Sequence, residues 1–139
     1  MRLVFCLSVT ALLLASPARA QDVVTCVDTV AELEAALQEA SIDLPQVSRR
    51  LIRLEQGSYN LSSASFMRTT AQATGWPLRE PVVLAGGYTA NCSGRVLNPA
   101  NTVLTNTGTR RMDFEVLRDL TVSGFSFSNF ADNRVSGNF

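Results

Sequence analysis

Arginine and carboxylate side chains are the groups in this sequence whose spacing could do chemistry. Arg110 and Arg111 are adjacent and could bind an acidic sugar through their planar guanidinium groups. Asp113 and Glu115 are two residues apart on a predicted strand, so both carboxylates would face one side and could jointly bind a calcium ion. The simpler interpretation is that all four are solvated residues of a turn and of an outward strand face.

Three further side chains extend this list of candidates. Trp76 lies in a segment with Gly and Pro and could stack on a sugar ring, or it could pack over the core instead. Asp119 and Asp132 could each complete a pair of carboxylates of the kind used to hydrolyse glycosidic bonds. Sequence spacing alone does not bring any of these groups together.

The basic residues of the chain exclude several classes of function. All 12 are arginine, and the chain has no His and no Lys. Ser–His catalysis, histidine metal sites and Schiff-base lysines are therefore excluded. The 12 Asp and Glu residues balance the arginines, which leaves no basic surplus for a nucleic-acid backbone. We expect a non-catalytic protein without a cofactor and without a nucleic-acid partner.

Residues 1–20 have the organisation of a secretion signal. Arg2 precedes an apolar run over 3–15, and Ala18-Arg19-Ala20 is a pattern that signal peptidase cleaves. The apolar run is short for a membrane span, so we expect an exported protein without a transmembrane anchor that begins near Gln21.

Cys26 and Cys92 are the cysteines that remain after such a cleavage. Two cysteines in an exported chain predict one disulfide. A metal or redox pair is the alternative, but two cysteines without histidine fall short of the usual number of metal ligands. The predicted disulfide links the start of the mature chain to the region of Gly86, Gly87 and Tyr88.

One amphipathic helix is predicted over 29–41. Thr29 and Glu32 have the spacing of a capping box, in which the hydroxyl accepts from the amide of Glu32 and the carboxylate reaches back. An apolar stripe follows at helical spacing, made of Val30, Leu33, Leu37 and Ala40.

Short strands separated by Gly and Asn turns follow the helix. They are predicted over 51–54, 81–85, 102–105, 112–116 and 120–122, whereas 66–80 is predicted to be a long loop or insertion. The strands at 81–85, 102–105 and 120–122 follow one another in steps of about 20 residues, from Val83 to Val103 and from Leu104 to Val122, which indicates a coil of parallel strands. An antiparallel sandwich is the main alternative, although no Asn-Gly or Asp-Gly turn joins two strands.

The stretch over 30–130 resembles the N-terminal region of secreted bacterial right-handed parallel β-helix proteins of the pectate-lyase-like superfamily. The motifs that carry the resemblance are TVAELEAALQEA, LIRLEQGSYNL, VVLAGGYTANCSGR, NPANTVLTN and LTVSGFSFSN. It implies an all-β fold, with a helix that caps the first coil. It also implies a cap over 21–80 and two to three coils over 81–139, incomplete at the C-terminal end.

The resemblance also implies a place of action and two alternative functions. One is an exported, secreted or periplasmic, non-catalytic protein that binds polysaccharide or a cell-surface component. The other is the N-terminal portion of a polysaccharide lyase or glycoside hydrolase whose catalytic coils lie elsewhere. Four aromatic residues crowd the C-terminal coil: Phe125, Phe127, Phe130 and Phe139. An uncovered edge there predicts self-association.

Overall fold

A computed structural model describes residues 20–68 and 76–130 of the chain. The predicted signal peptide up to Arg19 lies outside the described part, as do Asp132 and Phe139. The side chains of Arg68 and Trp76 also lie outside it. The described elements are β1 (Gln21–Val27), α1 (Val30–Ala40), β2 (Val47–Glu55), β3 (Gly57–Asn60), β4 (Met67–Arg68), β5 (Trp76–Leu78), β6 (Val82–Tyr88), β7 (Thr102–Thr105), β8 (Arg111–Met112), β9 (Phe114–Val116), β10 (Leu120–Ser123) and β11 (Ser126–Ser128).

Most strands belong to parallel sheets. The main sheet has the order β1-β2-β6-β10, and the second sheet has the order β11-β7-β3. Strands β5 and β9 form a parallel pair, whereas β4 and β8 form a short antiparallel pair. The chain is therefore rich in parallel β-structure with one helix among its described residues, as predicted, and the antiparallel sandwich is wrong.

The chain visits these sheets in a repeating order. From β2 it passes to the second sheet, then to the β5–β9 pair, and returns to the main sheet at β6; it then repeats that circuit and returns at β10. In the main sheet Ile52 and Val122 are both register partners of Leu84. The predicted period of about 20 residues is wrong, because a step of that length moves the chain only to the next sheet. Leu104 accordingly lies in the second sheet, away from the column of Leu84.

Several strand boundaries differ from the prediction. Strand β1 was not predicted, and the segment over 66–80, predicted as a loop, contributes β4 and β5. Strand β6 continues through the glycine pair to Tyr88 instead of ending before it. Strands β2 and β3 pair directly with β6 and β7, so parallel pairing extends across residue 80.

Helix α1 forms where the capping box predicts it. The amide of Glu32 donates to Thr29 Oγ1 at 3.2 Å, and the Glu32 carboxylate accepts from the amide of Asp28 at 3.0 Å. These bonds satisfy backbone donors that the first helical turn leaves unpaired. The helix lies against β1 and β2 at the start of the main sheet, with four buried residues: Leu33, Ala36, Leu37 and Ala40.

A buried ion pair joins the end of the helix to the strands. Arg50 and Glu80 are 4% and 1% exposed, and the Arg50 Nε donates to the Glu80 carboxylate. Arg50 also donates to Glu39 at 2.7 Å, while Glu80 accepts from the amide of Leu44 at 3.2 Å. Because each buried charge has a partner, the network links α1, β2 and the turn before β6 without an unpaired ion.

Gly86 lies in β6, and Gly124 directly follows β10 on the next circuit. The backbones at these two glycines are in close contact. Gly124 adopts φ +74°, a conformation that favours glycine. A Cβ built at Gly86 would lie 2.6 Å from the Gly124 carbonyl oxygen, which is too close for any side chain. The close passage of the two backbones therefore requires glycine at position 86.

We expect Gly86→Ala to destabilise the protein by about 1–3 kcal/mol, because the added methyl group must push two packed backbones apart. Gly94→Ala is the matched control, since the nearest atom to its Cβ is the Thr89 hydroxyl oxygen at 3.4 Å. Urea denaturation of both variants measures the difference, and equal stability would contradict this packing.

Candidate functional site

The sequence-predicted binding residues lie in or next to two short strand pairs, β4–β8 and β5–β9. Arg110 precedes β8, and Arg111 lies in it, with Arg68 of β4 as its register partner. Strand β9 carries Glu115 and places Phe114 opposite Trp76 of β5. The structure thus brings the backbone of these segments together, while the side chain of Trp76 lies outside the described part.

Asp113 and Glu115 do not share one continuous strand. Asp113 lies between β8 and β9, and its side chain is 17% exposed, with Oδ2 3.7 Å from Arg111 Nη2. Glu115 is exposed. Within the described residues, neither belongs to a cluster of three carboxylate or thiol ligands. The calcium site at these two residues stays a prediction. The neighbouring side chains follow the predicted alternation, since Phe114 is buried and Met112 and Val116 pack against the core.

An acidic cleft with a volume of about 260 Å³ lies at the carboxyl ends of β1 and β2. We use this name for the cleft lined by Cys26, Asp28, Glu32, Glu55 and Asn91. Strands β1 and β2 are parallel neighbours, so their carboxyl ends meet there and bring Cys26 close to Glu55. The first turn of α1 adds Glu32.

The disulfide forms one wall of the acidic cleft. The Sγ atoms of Cys26 and Cys92 are 2.03 Å apart, and their Cα atoms are 5.9 Å apart. This bond links β1 to the turn after β6 and passes over β2, where Cys92 Sγ lies 3.6 Å from the Arg53 carbonyl oxygen. The turn places Asn91 and Cys92 in the left-handed region, at φ 55° and 51°.

The carboxylates of the acidic cleft have different environments. A hydrogen bond to the Glu32 carboxyl and the negative charge of that group raise the pKa of Asp28. The backbone amide of Asp28 holds the pKa of Glu32 below its usual value. Glu55 Oε1 accepts from the amide of Asn91 at 2.5 Å and lies 3.5 Å from Cys26 Sγ. The cleft is therefore a negatively charged surface beside a sulfur pair.

Tyr59 lies in the core and contacts the strand ends that form the acidic cleft. Its side chain is 2% exposed, and its hydroxyl lies 3.0 Å from the Val27 carbonyl oxygen and 3.1 Å from that of Glu55. Burial, followed by the nearby charge of Glu55, raises the pKa of Tyr59 to about 12. The neutral phenol thus ties the ends of β1 and β2 together.

Sequence reasoning missed the acidic cleft. The capping box accounts for Glu32 in the sequence, and Asp28 lies beside the positive end of the helix without any pattern that marks it as part of a site. Glu55 lies 29 residues from Cys26, so no local spacing connects them. A prediction of β1 as a parallel neighbour of β2 would have brought Cys26 and Glu55 to one sheet edge.

Tyr59→Phe tests how the free energy of unfolding depends on alkaline pH, because the pKa of Tyr59 is raised in the folded protein. The folded protein keeps the phenol protonated up to about pH 12, whereas the unfolded chain ionises near its ordinary value of 10. The stabilisation is therefore full below pH 10 and lost as the pH rises from 10 to 12. We expect the variant to be about 1 kcal/mol less stable at pH 8, and this difference to shrink toward pH 12. Urea denaturation across this range measures it, and a constant difference would contradict the assignment.

Comparison with known proteins identifies no relative of this chain. Protein-family models, curated proteins and solved structures give no match to the chain. Within the described residues, no helix is both long enough and apolar enough to cross a membrane.

Proposed function

We propose that this chain forms the first coils of a right-handed parallel β-helix and acts as an exported, non-catalytic polysaccharide-binding protein. The observation that carries the proposal is the order in which the chain visits its sheets. The main sheet, the second sheet and the β5–β9 pair are visited in the same sequence twice, with parallel pairing between successive visits. A coil of parallel strands around one axis has this connectivity.

The covered start of the stack supports the same proposal. Helix α1 lies over β1 and β2, so the apolar interior at that end faces the helix. A solenoid needs such a cap, because its first coil has no preceding coil to bury it. The disulfide between Cys26 and Cys92 suits an oxidising compartment outside the cytoplasm.

The arginines at β8 support binding of an acidic polysaccharide. Among the described residues the Arg110 guanidinium has no ion-pair partner, while Arg111 is balanced by Asp113. Arg110 is half-buried. Its guanidinium group can form paired hydrogen bonds with the carboxylate of a uronic acid.

Arg110→Gln is expected to weaken binding to polygalacturonate about fivefold in low salt, the effect of losing one charge-assisted contact. Arg118→Gln is the matched control, because Arg118 is exposed and lies 3.5 Å from Asp43, away from β8. Affinity electrophoresis in polygalacturonate gels, with a neutral glucan gel as reference, measures the change. Equal binding to both polymers, or equal loss in both variants, would contradict the proposal. Formation of unsaturated sugars with calcium present would show a lyase instead.

The last strands support self-association as a second property of this function. Val122 and Phe127 occupy columns that are buried in the preceding strands, yet they are 41% and 40% exposed. Phe127 also contacts Phe125 and Phe130, each with ring centres 5.4 Å apart. These rings form an apolar surface beside strand edges that no described strand covers.

We expect the mature protein to associate through these edges at micromolar concentration, and Phe127→Asp to shift it toward the monomer. Leu97→Asp is the control, since Leu97 is 76% exposed and lies in the segment between β6 and β7. Sedimentation equilibrium distinguishes the outcomes, and a monomeric wild-type protein would contradict self-association.

A further inference from the structure

We propose that the reduced protein binds one thiophilic divalent cation, Zn²⁺ or Cd²⁺, between Cys26, Cys92 and Glu55. In this view the disulfide and the metal are alternative occupants of the same place. The inference rests on the disulfide and the acidic cleft alone and is independent of the polysaccharide proposal. Glu55 is the third ligand, which the sequence alone did not connect with the two cysteines.

The three ligand atoms already lie close together, and the distance from Glu55 to Cys26 is that of a metal site. The sulfur atoms and a Glu55 carboxylate oxygen are all within 4.8 Å of one another. In a tetrahedral site with metal–sulfur bonds of about 2.3 Å and metal–oxygen bonds of about 2.1 Å, neighbouring ligand atoms are about 3.6 Å apart. Glu55 Oε1 is 3.5 Å from Cys26 Sγ, so that edge of the site already exists.

The remaining change is a separation of the two sulfur atoms. After reduction they must part to about 3.7 Å, the spacing of two thiolates on one zinc ion. The Cα atoms are 5.9 Å apart, and rotation of either cysteine side chain provides this separation. Strand β1 fixes the Cys26 backbone, and the turn after β6 fixes that of Cys92.

The Glu55 ligand is held by the backbone rather than by a mobile partner. The amide of Asn91 donates to its Oε1 at 2.5 Å, one residue before Cys92. Glu55 also ends β2, the parallel neighbour of the strand that carries Cys26. A ligand positioned before the metal arrives needs little ordering on binding.

The charges around the site favour a cation. Two thiolates and Glu55 would bring three negative charges together, and Asp28 and Glu32 line the same cleft. Arg53, the register partner of Cys26, contributes one positive charge on that face. Reduction alone would therefore leave a strongly negative cluster, which a divalent ion neutralises. The cleft leaves space for water or a carboxylate at the fourth position.

The redox step balances with a phosphine as the reductant. Tris(2-carboxyethyl)phosphine and one water molecule convert the disulfide into two thiols, and the phosphine becomes its oxide. The metal then displaces one proton from each thiol and binds the two thiolates. Oxidised glutathione reverses the step: it accepts two electrons from the two thiolates and becomes two glutathione thiols, while the protein disulfide re-forms and the ion is released.

The experiment is a titration of the anaerobically reduced mature protein with Cd²⁺, followed by the ultraviolet absorption of cadmium thiolates. We expect one Cd²⁺ per chain, competition by Zn²⁺ only when Zn²⁺ is in large excess, and no such absorption in the oxidised protein. Glu55→Gln is expected to weaken binding at least tenfold, because it removes one ligand. Asp43→Asn, which changes an exposed carboxylate after α1 and outside the acidic cleft, is the matched control and is expected to bind like the wild type.

Three results would overturn the proposal: no binding by the reduced wild type, equal affinity in Glu55→Gln, or a complex of several chains per ion. Circular dichroism gives a second measurement if reduction unfolds the chain. Cd²⁺ must then restore the spectrum of the oxidised protein in the wild type, and more weakly in Glu55→Gln. Failure to restore it would also contradict the site.

Discussion

Stacking of inward-facing side chains on successive parallel strands is the interaction on which the rest of this structure depends. Ile52 and Leu84 are register partners and are 1% and 0% exposed. Val122 continues the same column on the last described strand of the main sheet and is 41% exposed. A side chain in such a column is buried only when a neighbouring strand lies beside it, so each strand stabilises the one before it.

This constraint explains why the first and the last described strands of the stack differ in how their apolar side chains are covered. At the first strands, α1 covers the interior with its buried face, and the ion pair of Arg50 and Glu80 fixes the end of the helix. At the last described strands, Val122 and Phe127 remain uncovered. Gly86 and Gly124 let the circuits pass closely where they leave the main sheet, which keeps the columns aligned.

The same strands carry two groups of charged side chains: the carboxylates of the acidic cleft and the arginines at β8. The acidic cleft forms where β1 and β2 end together, because parallel neighbours bring their carboxyl ends to one edge. The arginines lie at β8, beside a strand from the preceding circuit. Carboxylates line the cleft, whereas two adjacent arginines lie at β8.

Local signals in the sequence predicted the parts of the fold that depend on local physics. The hydroxyl of Thr29 and the carboxylate of Glu32 identify the start of α1, and the strand over 102–105 matches the prediction at both ends. Long-range pairing could not be predicted in the same way. Strand β1 is recognisable only beside β2, and Glu55 contacts Cys26 only because of that pairing. The coil period was wrong because turns within a circuit resemble turns between circuits.

The central claim is the parallel column of Ile52, Leu84 and Val122, and nuclear Overhauser effects between backbone protons of the mature protein test it most directly. The account predicts cross-strand contacts that connect Ile52 to Leu84 and Leu84 to Val122 in the pattern of parallel strands. Close pairs of α-protons between these strands, as antiparallel pairing produces, or Leu104 in place of Val122 beside Leu84, would contradict it.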